Sequence, residues 1–467
     1  MNEARLAVWA GVGAAAAIAG ALIPSGAPGI GTAITGLAIA GAVAHAPPRP
    51  PDWESAGFAG AALAFVAMAA VFDAPWLVLV DVGAAAGCSA LAIAGAATWV
   101  RIVKAPFRVA AGALRVPAAV IRALPAPGSV PWIGPAGRAV GVSAVLLLVF
   151  GGLFASADAA FARIATDVLL PDVEVGLLPA RVLVAVVVAA GTGGLILAGA
   201  GRENEALPEE VARRGAPRLA TVEWAIPLAL LNALFATFVV VQIAVLFGGH
   251  AHVLETTGLT YAEYARAGFF QLVAIAALVL GVVAVASNVG RSSGRDRLLK
   301  GLLGLLCVLT LVVLASALRR MNLYEDAYGL TRIRVSVYAV DLWLAGVFAL
   351  VMVAGLLRRA PWLPRAVIAL TAVSLLAFNA ADPEARIARS GVERWRETGE
   401  IDGHYLGTLS ADGVPPLLEL PAEVRGCILP AIEARLDRAA GPWSSFNLSR
   451  DRARDLLAEE DPLCTLP

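Results

Sequence analysis

Apolar runs of roughly 18 to 24 residues recur along the chain, the length that crosses a ~30 Å hydrocarbon core at 1.5 Å rise per residue. Inside lipid no water reaches the peptide groups of such a run, so each must satisfy its own N–H and C=O groups, which a helix does. Spanning β-strands would be about ten residues long and would alternate apolar with polar positions. No such alternation is present. The predicted fold class is all-α: a polytopic transmembrane helical bundle of about 11 spans, with a small helical extracytoplasmic C-terminal tail.

The predicted spans are Leu6–Ile23, Ile30–His45, Ala56–Phe72, Pro75–Trp99, Ala136–Phe154, Gly176–Gly199, Trp224–Phe247, Gly268–Ser287, Gly301–Leu318, Val335–Leu357 and Ala366–Ala381. The first three are short and rich in Ala and Gly, which lets helix backbones approach closely. The first run follows Arg5 and has the outline of a signal peptide. A second run begins at Ile30 with no charge between, which favours a helical hairpin. Composition agrees. The chain is 59% hydrophobic and 15% charged, with a mean hydropathy of +0.77, whereas soluble domains carry about 25% charged residues.

Orientation follows from the asymmetry of basic residues. With the N-terminus in the cytoplasm, the inside segments hold 19 of the 36 basic residues. Arg101, Lys104, Arg108, Arg115, Arg122 and Arg138 cluster after the fourth span. The expected organisation is a transmembrane domain over 1–381 and an extracytoplasmic helical tail over 382–467. Within the first lies a cytoplasmic linker of about 101–135. Its apolar residues alternate with arginines as in an amphipathic helix lying on an anionic leaflet, so membrane lipids are expected partners. Arginine dominates, with only Lys104 and Lys300 as lysines, which together with the Ala, Gly and Val richness points to a GC-rich bacterial genome. The expected location is the inner (plasma) membrane. No basic stripe interleaved with aromatics appears, which argues against nucleic acid.

Four stretches carry a family resemblance: "LFASADAAFARI" (153–164), "TGLTYAEYARAGF" (257–269), "RRMNLYEDAYGLTRIR" (319–334) and "DGHYLGTLSADGVPPL" (402–417). In this order they resemble a bacterial family of polytopic membrane proteins known as domain of unknown function 4173, with a relative numbered 4153. The resemblance runs from about the third span to the C-terminus. It implies the same architecture and carries no activity, cofactor or catalytic residue.

The 319–334 stretch is read as an outside loop. Arg319, Arg320, Arg332 and Arg334 sit where positive charge is normally scarce, with Glu325 and Asp326 between them. One reading is a site for an anionic small molecule or another envelope protein, arginines offering fork-shaped donors. The other is internal pairing with acidic neighbours. Glu263 follows Thr260 as in a capping box and is also eligible for a polar site. His250, His252 and Glu255 lack the spacing of a known zinc motif, and neither metal nor cofactor is expected. Asp341 and Asp81 fall inside spans, where carboxylates are costly and face a cavity or a partner. With Arg181 they form a candidate proton-coupled or ligand site.

Cys88 and Cys307 lie within spans, whereas Cys427 and Cys464 lie in the tail and are candidates for a disulfide in an oxidising compartment. Phosphate-loop, nucleophile-elbow and zinc-protease motifs are absent, so no catalytic residue is named. Three readings follow: a non-enzymatic sensor or assembly partner at the outer face, a secondary transporter using Asp81, Asp341 and Arg181, and a membrane-embedded transferase.

Overall fold

The computed structural model describes residues 2–46, 52–123, 177–200, 221–247, 269–289, 296–357 and 360–459, and all regular structure among them is helical. The long helices are α1 (Asn2–Leu22), α2 (Ile30–Ala44), α3 (Trp53–Met68), α4 (Pro75–Ala94), α5 (Trp99–Ala123), α6 (Leu178–Ala200), α7 (Thr221–Phe247), α8 (Phe269–Val289), α9 (Asp296–Tyr328), α10 (Arg332–Leu356), α11 (Leu363–Ala380) and α12 (Pro383–Thr398). Then come α13 (Gly403–Leu406), α14 (Val414–Leu417), α15 (Ala422–Arg438) and α16 (Leu448–Leu457), with short 3₁₀ turns at Ala411–Gly413 and Trp443–Ser445.

Helices lie where the described spans were expected, while Ala136–Phe154 falls outside the described residues. Among the described residues five helices are long and apolar enough to cross a membrane: Pro75–Ala94, Ala180–Ala200, Arg297–Asn322, Arg332–Leu356 and Leu363–Ala380. Shorter apolar helices occupy Leu6–Leu22, Ile30–Ala44, Trp53–Met68, Trp224–Val240 and Ile275–Ser287. Capping explains several boundaries. Asp52 accepts from the Ser55 N–H at 2.7 Å to start α3, and Pro75 and Pro383 stand at the helix starts where a missing N–H is harmless.

Packing divides the chain into two compact units, Met1–Glu205 with Gly403–Pro467, and Ala206–Asp402. The 382 boundary expected from composition thus falls inside the second unit, because α12 packs on α10 while the rest of the tail packs with the first unit.

In the first unit, α1 packs on α2 and α6, α3 on α4, and α5 against α6 and α4. The α5–α6 crossing is a backbone contact. A Cβ on Gly112 would stand 2.5 Å from the Gly194 carbonyl oxygen, and one on Gly194 would stand 2.6 Å from the Val109 oxygen. Only glycine admits that approach. The amphipathic linker is therefore a helix over Trp99–Ala123 with one face seated on the bundle, and residues 124–135 lie outside the described set.

The tail is fastened to the opposite ends of these helices by a buried polar clamp. Arg450, 3% exposed, is bridged through Nη1 to the Asp73 carboxylate in the α3–α4 turn. Its Nη2 donates to the Pro28 oxygen at 2.7 Å and the Ser445 oxygen at 2.6 Å. Asn447 caps α16 by accepting from the Arg450 N–H, and its Nδ2 donates to the Ala69 and Phe72 oxygens, both at 2.9 Å. The buried Asp412 carboxylate accepts from the Asp73 N–H at 2.9 Å. Ile30 N–H donates to the Phe446 oxygen and Leu448 N–H to the Ala70 oxygen, each at 2.9 Å. The α1–α2 and α3–α4 turns and the tail thus meet at one end of the unit. Trp9, Ile93 and α5 meet the C-terminal half of α6 at the other.

Removing one member of a buried ion pair leaves its partner charged and desolvated, at a cost of about 3–5 kcal/mol. Arg450→Met should therefore lower the thermal unfolding midpoint in detergent. Limited proteolysis should release the tail before the helices unfold. A tail that stays protected at the wild-type rate would show that Arg450 is not the fastening.

Candidate functional site

In the second unit α9 is central, packing on α7, α8 and α10, and α10 also packs on α11 and α12. Its core runs from Trp224, Leu228 and Phe235 through Leu306, Leu314 and Ala317 to Leu344 and Phe348. Asn232 bridges α7 and α9 by donating to the Leu228 and Leu302 oxygens at 2.7 and 3.1 Å. Trp343 Nε1 donates to Thr371 Oγ1 at 3.0 Å, tying α10 to α11.

The charged 319–334 stretch, expected as a loop, is mostly helix. Met, Leu, Arg, Glu and Ala are good helix formers, and α9 continues through them to Tyr328. Only Gly329, Leu330 and Thr331 stand between α9 and α10. Gly329 makes the turn in the left-handed region at φ +70°, with its N–H donating to the Glu325 oxygen at 2.7 Å. Arg334 then reaches back from the first turn of α10. Its Nη1 donates to the Gly329 oxygen and, at 3.1 Å, to the Tyr328 oxygen. A cation at those orphan carbonyls is favoured by the helix dipole.

Arg332 points the other way, to Glu384 in the first turn of α12. The pair is two-pronged, Nε to Oε1 at 2.5 Å and Nη2 to Oε2 at 3.1 Å, and the Glu384 side chain is fully buried. Leu330 N–H donates to Ser390 Oγ at 3.3 Å, and Tyr338 Oη donates to Asn322 Oδ1 at 2.5 Å and Glu325 Oε2 at 2.8 Å. The corner joining α9, α10 and α12 is therefore braced by its own charges. Arg332 and Arg334, two of the four arginines offered for an anion, already carry protein acceptors. Arg319 is exposed, Arg320 is buried and partnered, and Asp326 lies in α9 with its side chain outside the described set.

One turn deeper the chemistry changes. Arg334, Tyr338 and Asp341 follow at spacings of four and three and so share one face of α10. The Asp341 side chain is fully buried, and among the described residues neither carboxyl oxygen has a hydrogen-bond partner. Its neighbours three and four positions away on the helix are Val337, Tyr338, Leu344 and Ala345, all members of the core or packed on it. Thr192 Oγ1 and Trp224 Nε1 are likewise buried without a hydrogen-bond partner among the described residues, but several polar groups in these apolar helices behave differently. Thr310 donates to the Leu306 oxygen at 2.7 Å, Thr371 to the Val367 oxygen at 2.8 Å and Asn379 to the Leu375 oxygen at 3.0 Å. Each short-circuits its polarity on its own helix. A carboxylate has no donor and cannot do so.

Asp341 belongs to the second unit. Asp81 is buried and partnered in α4, Arg181 is exposed near the start of α6, and both belong to the first unit. Glu263, His250, His252, Glu255 and Cys464 lie outside the described residues. Cys88 and Cys307 are free and buried, and Cys427 is disulfide-bonded. Among the described residues no group of three or more His, Cys, Asp or Glu is placed to hold a metal ion.

Glu384, Asp382, Asp73 and Arg450 were not singled out from the sequence. The signal for the first two was present in "DPE", a cap residue followed by proline at the first helical position. Asp382 caps α12 by accepting from the Ala385 N–H at 3.1 Å, with its backbone left-handed at φ 47°. Burial pushes its carboxyl above the ordinary range, and nearby Glu384 adds to this. The Ala385 N–H and Arg389 oppose the shift.

A raised acid in the folded state withdraws stability as pH climbs from the unfolded value of ~3.9 through the folded one. Asp382→Asn caps as well and tolerates the left-handed backbone. It should remove that decline and raise the unfolding midpoint at pH 7 relative to pH 4. Parallel midpoint-against-pH curves for both proteins would show that Asp382 is not the cause.

The family profile described as a domain of unknown function (DUF4153) matches residues 59–420. No curated protein and no solved structure matches the chain.

Proposed function

Because the chain belongs to the DUF4153 family, a domain of unknown function, we propose from its own residues that it is a proton-coupled multi-pass membrane protein. In this reading Asp341 takes up and releases a proton as the second unit changes conformation. The observation that carries it is the fully buried carboxyl, with no hydrogen-bond partner among the described residues, on the Arg334–Tyr338–Asp341 face of an apolar helix. A lone carboxylate there is costly without a counter-cation, and intramembrane ionisable groups mark ion and proton pathways. Tyr338, one turn away and hydrogen-bonded to the half-buried Glu325, offers an exchangeable hydroxyl toward the helix end.

This keeps the transporter reading and narrows its coupling group to one residue. The reading as an outer-face anion sensor or assembly partner rests on Arg319 and Arg320, since Arg332 and Arg334 brace the corner. A transferase reading has Glu325 engaged by Tyr338 and no second carboxylate described beside it.

Infrared difference spectra of the full chain in lipid, recorded across a pH step, test the proposal. A high-frequency component of the protonated-carboxyl band, the signature of an acid without a hydrogen bond, should titrate in the wild type, persist in Asp341→Glu and be lost in Asp341→Asn, with all three unfolding at similar temperatures. The same titrating band in a folded Asp341→Asn protein would remove Asp341 from the role.

The orientation proposed is N-terminus inside and tail outside a bacterial plasma membrane. What supports it is the basic α5 at the end of the first unit away from the tail, and the oxidised state of Cys427. The pairing of Cys427 with Cys464 is part of this proposal, and the free state of Cys88 and Cys307 supports it. In intact cells an impermeant maleimide should label Cys427 only after an impermeant reductant. Labelling that needs cell lysis would place the tail inside and overturn the orientation.

A further inference from the structure

Helix α5 divides its surface three ways. One stripe, Ala105, Gly112 and Val116, is buried against the bundle, with Gly112 seated on the Gly194 backbone. A second stripe is apolar and open: Val103, Phe107 and Leu114, of which Phe107 is 70% and Leu114 85% exposed. Between them, at positions 101, 104, 108 and 115, runs a basic edge on which Lys104 and Arg115 are exposed and Arg101 and Arg108 half-buried. At 100° per residue these positions fall within about 60° of one another. No acidic residue occurs in Trp99–Ala123.

A helix turned wholly to water would not keep Phe107 and Leu114 open, and one buried in hydrocarbon would not keep four cations on a single edge. We propose that α5 is a built-in receptor for anionic phospholipid. The open apolar stripe sinks among the upper acyl chains while Lys104 and Arg115, with Arg101 and Arg108 beside them, hold headgroup phosphates. Charge complementarity selects this occupant: long basic side chains extend from an apolar surface toward phosphate as amphipathic stems allow. Because α5 is locked backbone to backbone on α6, the bound lipid becomes part of the first unit's wall rather than a loose annulus. The inference stands independently of Asp341.

Native mass spectrometry of the full chain in detergent tests it, titrating phosphatidylglycerol against phosphatidylcholine. The wild type should retain phosphatidylglycerol preferentially. Lys104→Gln with Arg115→Gln touches only exposed side chains and should cut that preference by roughly tenfold or more at an unchanged unfolding midpoint. Arg386→Gln with Arg452→Gln, removing two exposed charges elsewhere, should leave it intact. Preference that survives the α5 variant, or falls equally in the control, overturns the proposal. So does displacement of the lipid by millimolar inorganic phosphate, which would mark a simple anion site. A doubled mass without lipid preference would assign the stripe to a second copy of the chain.

Discussion

Withholding water from the peptide groups of long apolar runs is the constraint from which the rest of this structure follows. The backbone answers by coiling, and the polar side chains must then find an answer of their own. Thr35, Thr310, Thr371, Asn232 and Asn379 all use the same one, donating to the carbonyl four residues earlier on their own helix. That device needs a donor. A carboxylate lacks one, and so Asp341 differs in kind from these residues and not only in charge.

Charge is otherwise gathered at helix ends, and the two units do this in the same way. In each, an arginine beside a chain turn bridges to a carboxylate from a segment distant in sequence, Arg450 to Asp73 and Arg332 to Glu384. In each, a side-chain cap starts the neighbouring helix, Asn447 for α16 and Asp382 for α12. Carbonyl oxygens at turns and helix ends take further guanidinium donors, Pro28 and Ser445 from Arg450 in one unit and Tyr328 from Arg334 in the other. Arginine suits this work because its planar fork serves a carboxylate and carbonyls together. The heavy use of arginine at these corners is structural chemistry, whatever genome composition contributes to it.

What the sequence shows directly is whatever depends on runs of one polarity. The apolar helices, the amphipathic α5 and the change in composition near 382 are all of this kind. It does not show which acid meets which arginine, because Asp73 and Arg450 are 377 residues apart and Arg332 and Glu384 are 52 apart. The charged stretch after Leu318 has the composition of a loop, because charge usually marks water. Its residues are also good helix formers, and the helix runs on until Gly329 turns it. Asp81 and Asp341 look alike in sequence, each a single acid within an apolar run. Their surroundings separate them: Asp81 has an interaction partner, and neither oxygen of Asp341 has a hydrogen-bond partner among the described residues.

Asp341 lies nine residues along α10 from Arg332, about 13 Å by helix rise. Between them the helix is held by Arg334 on the α9 carbonyls, by Arg332 on Glu384 and by Tyr338 on Asn322 and Glu325. The braced corner therefore fixes the ends of α9 and α10, while the packing around the carboxyl is apolar and non-directional. A response to a change of charge at Asp341 would act on that largely apolar packing, where among the described residues no hydrogen bond to the carboxyl itself sets a single geometry. A rigid polar cap next to an adaptable core is the arrangement in which one proton can shift helix packing without unfastening the helices.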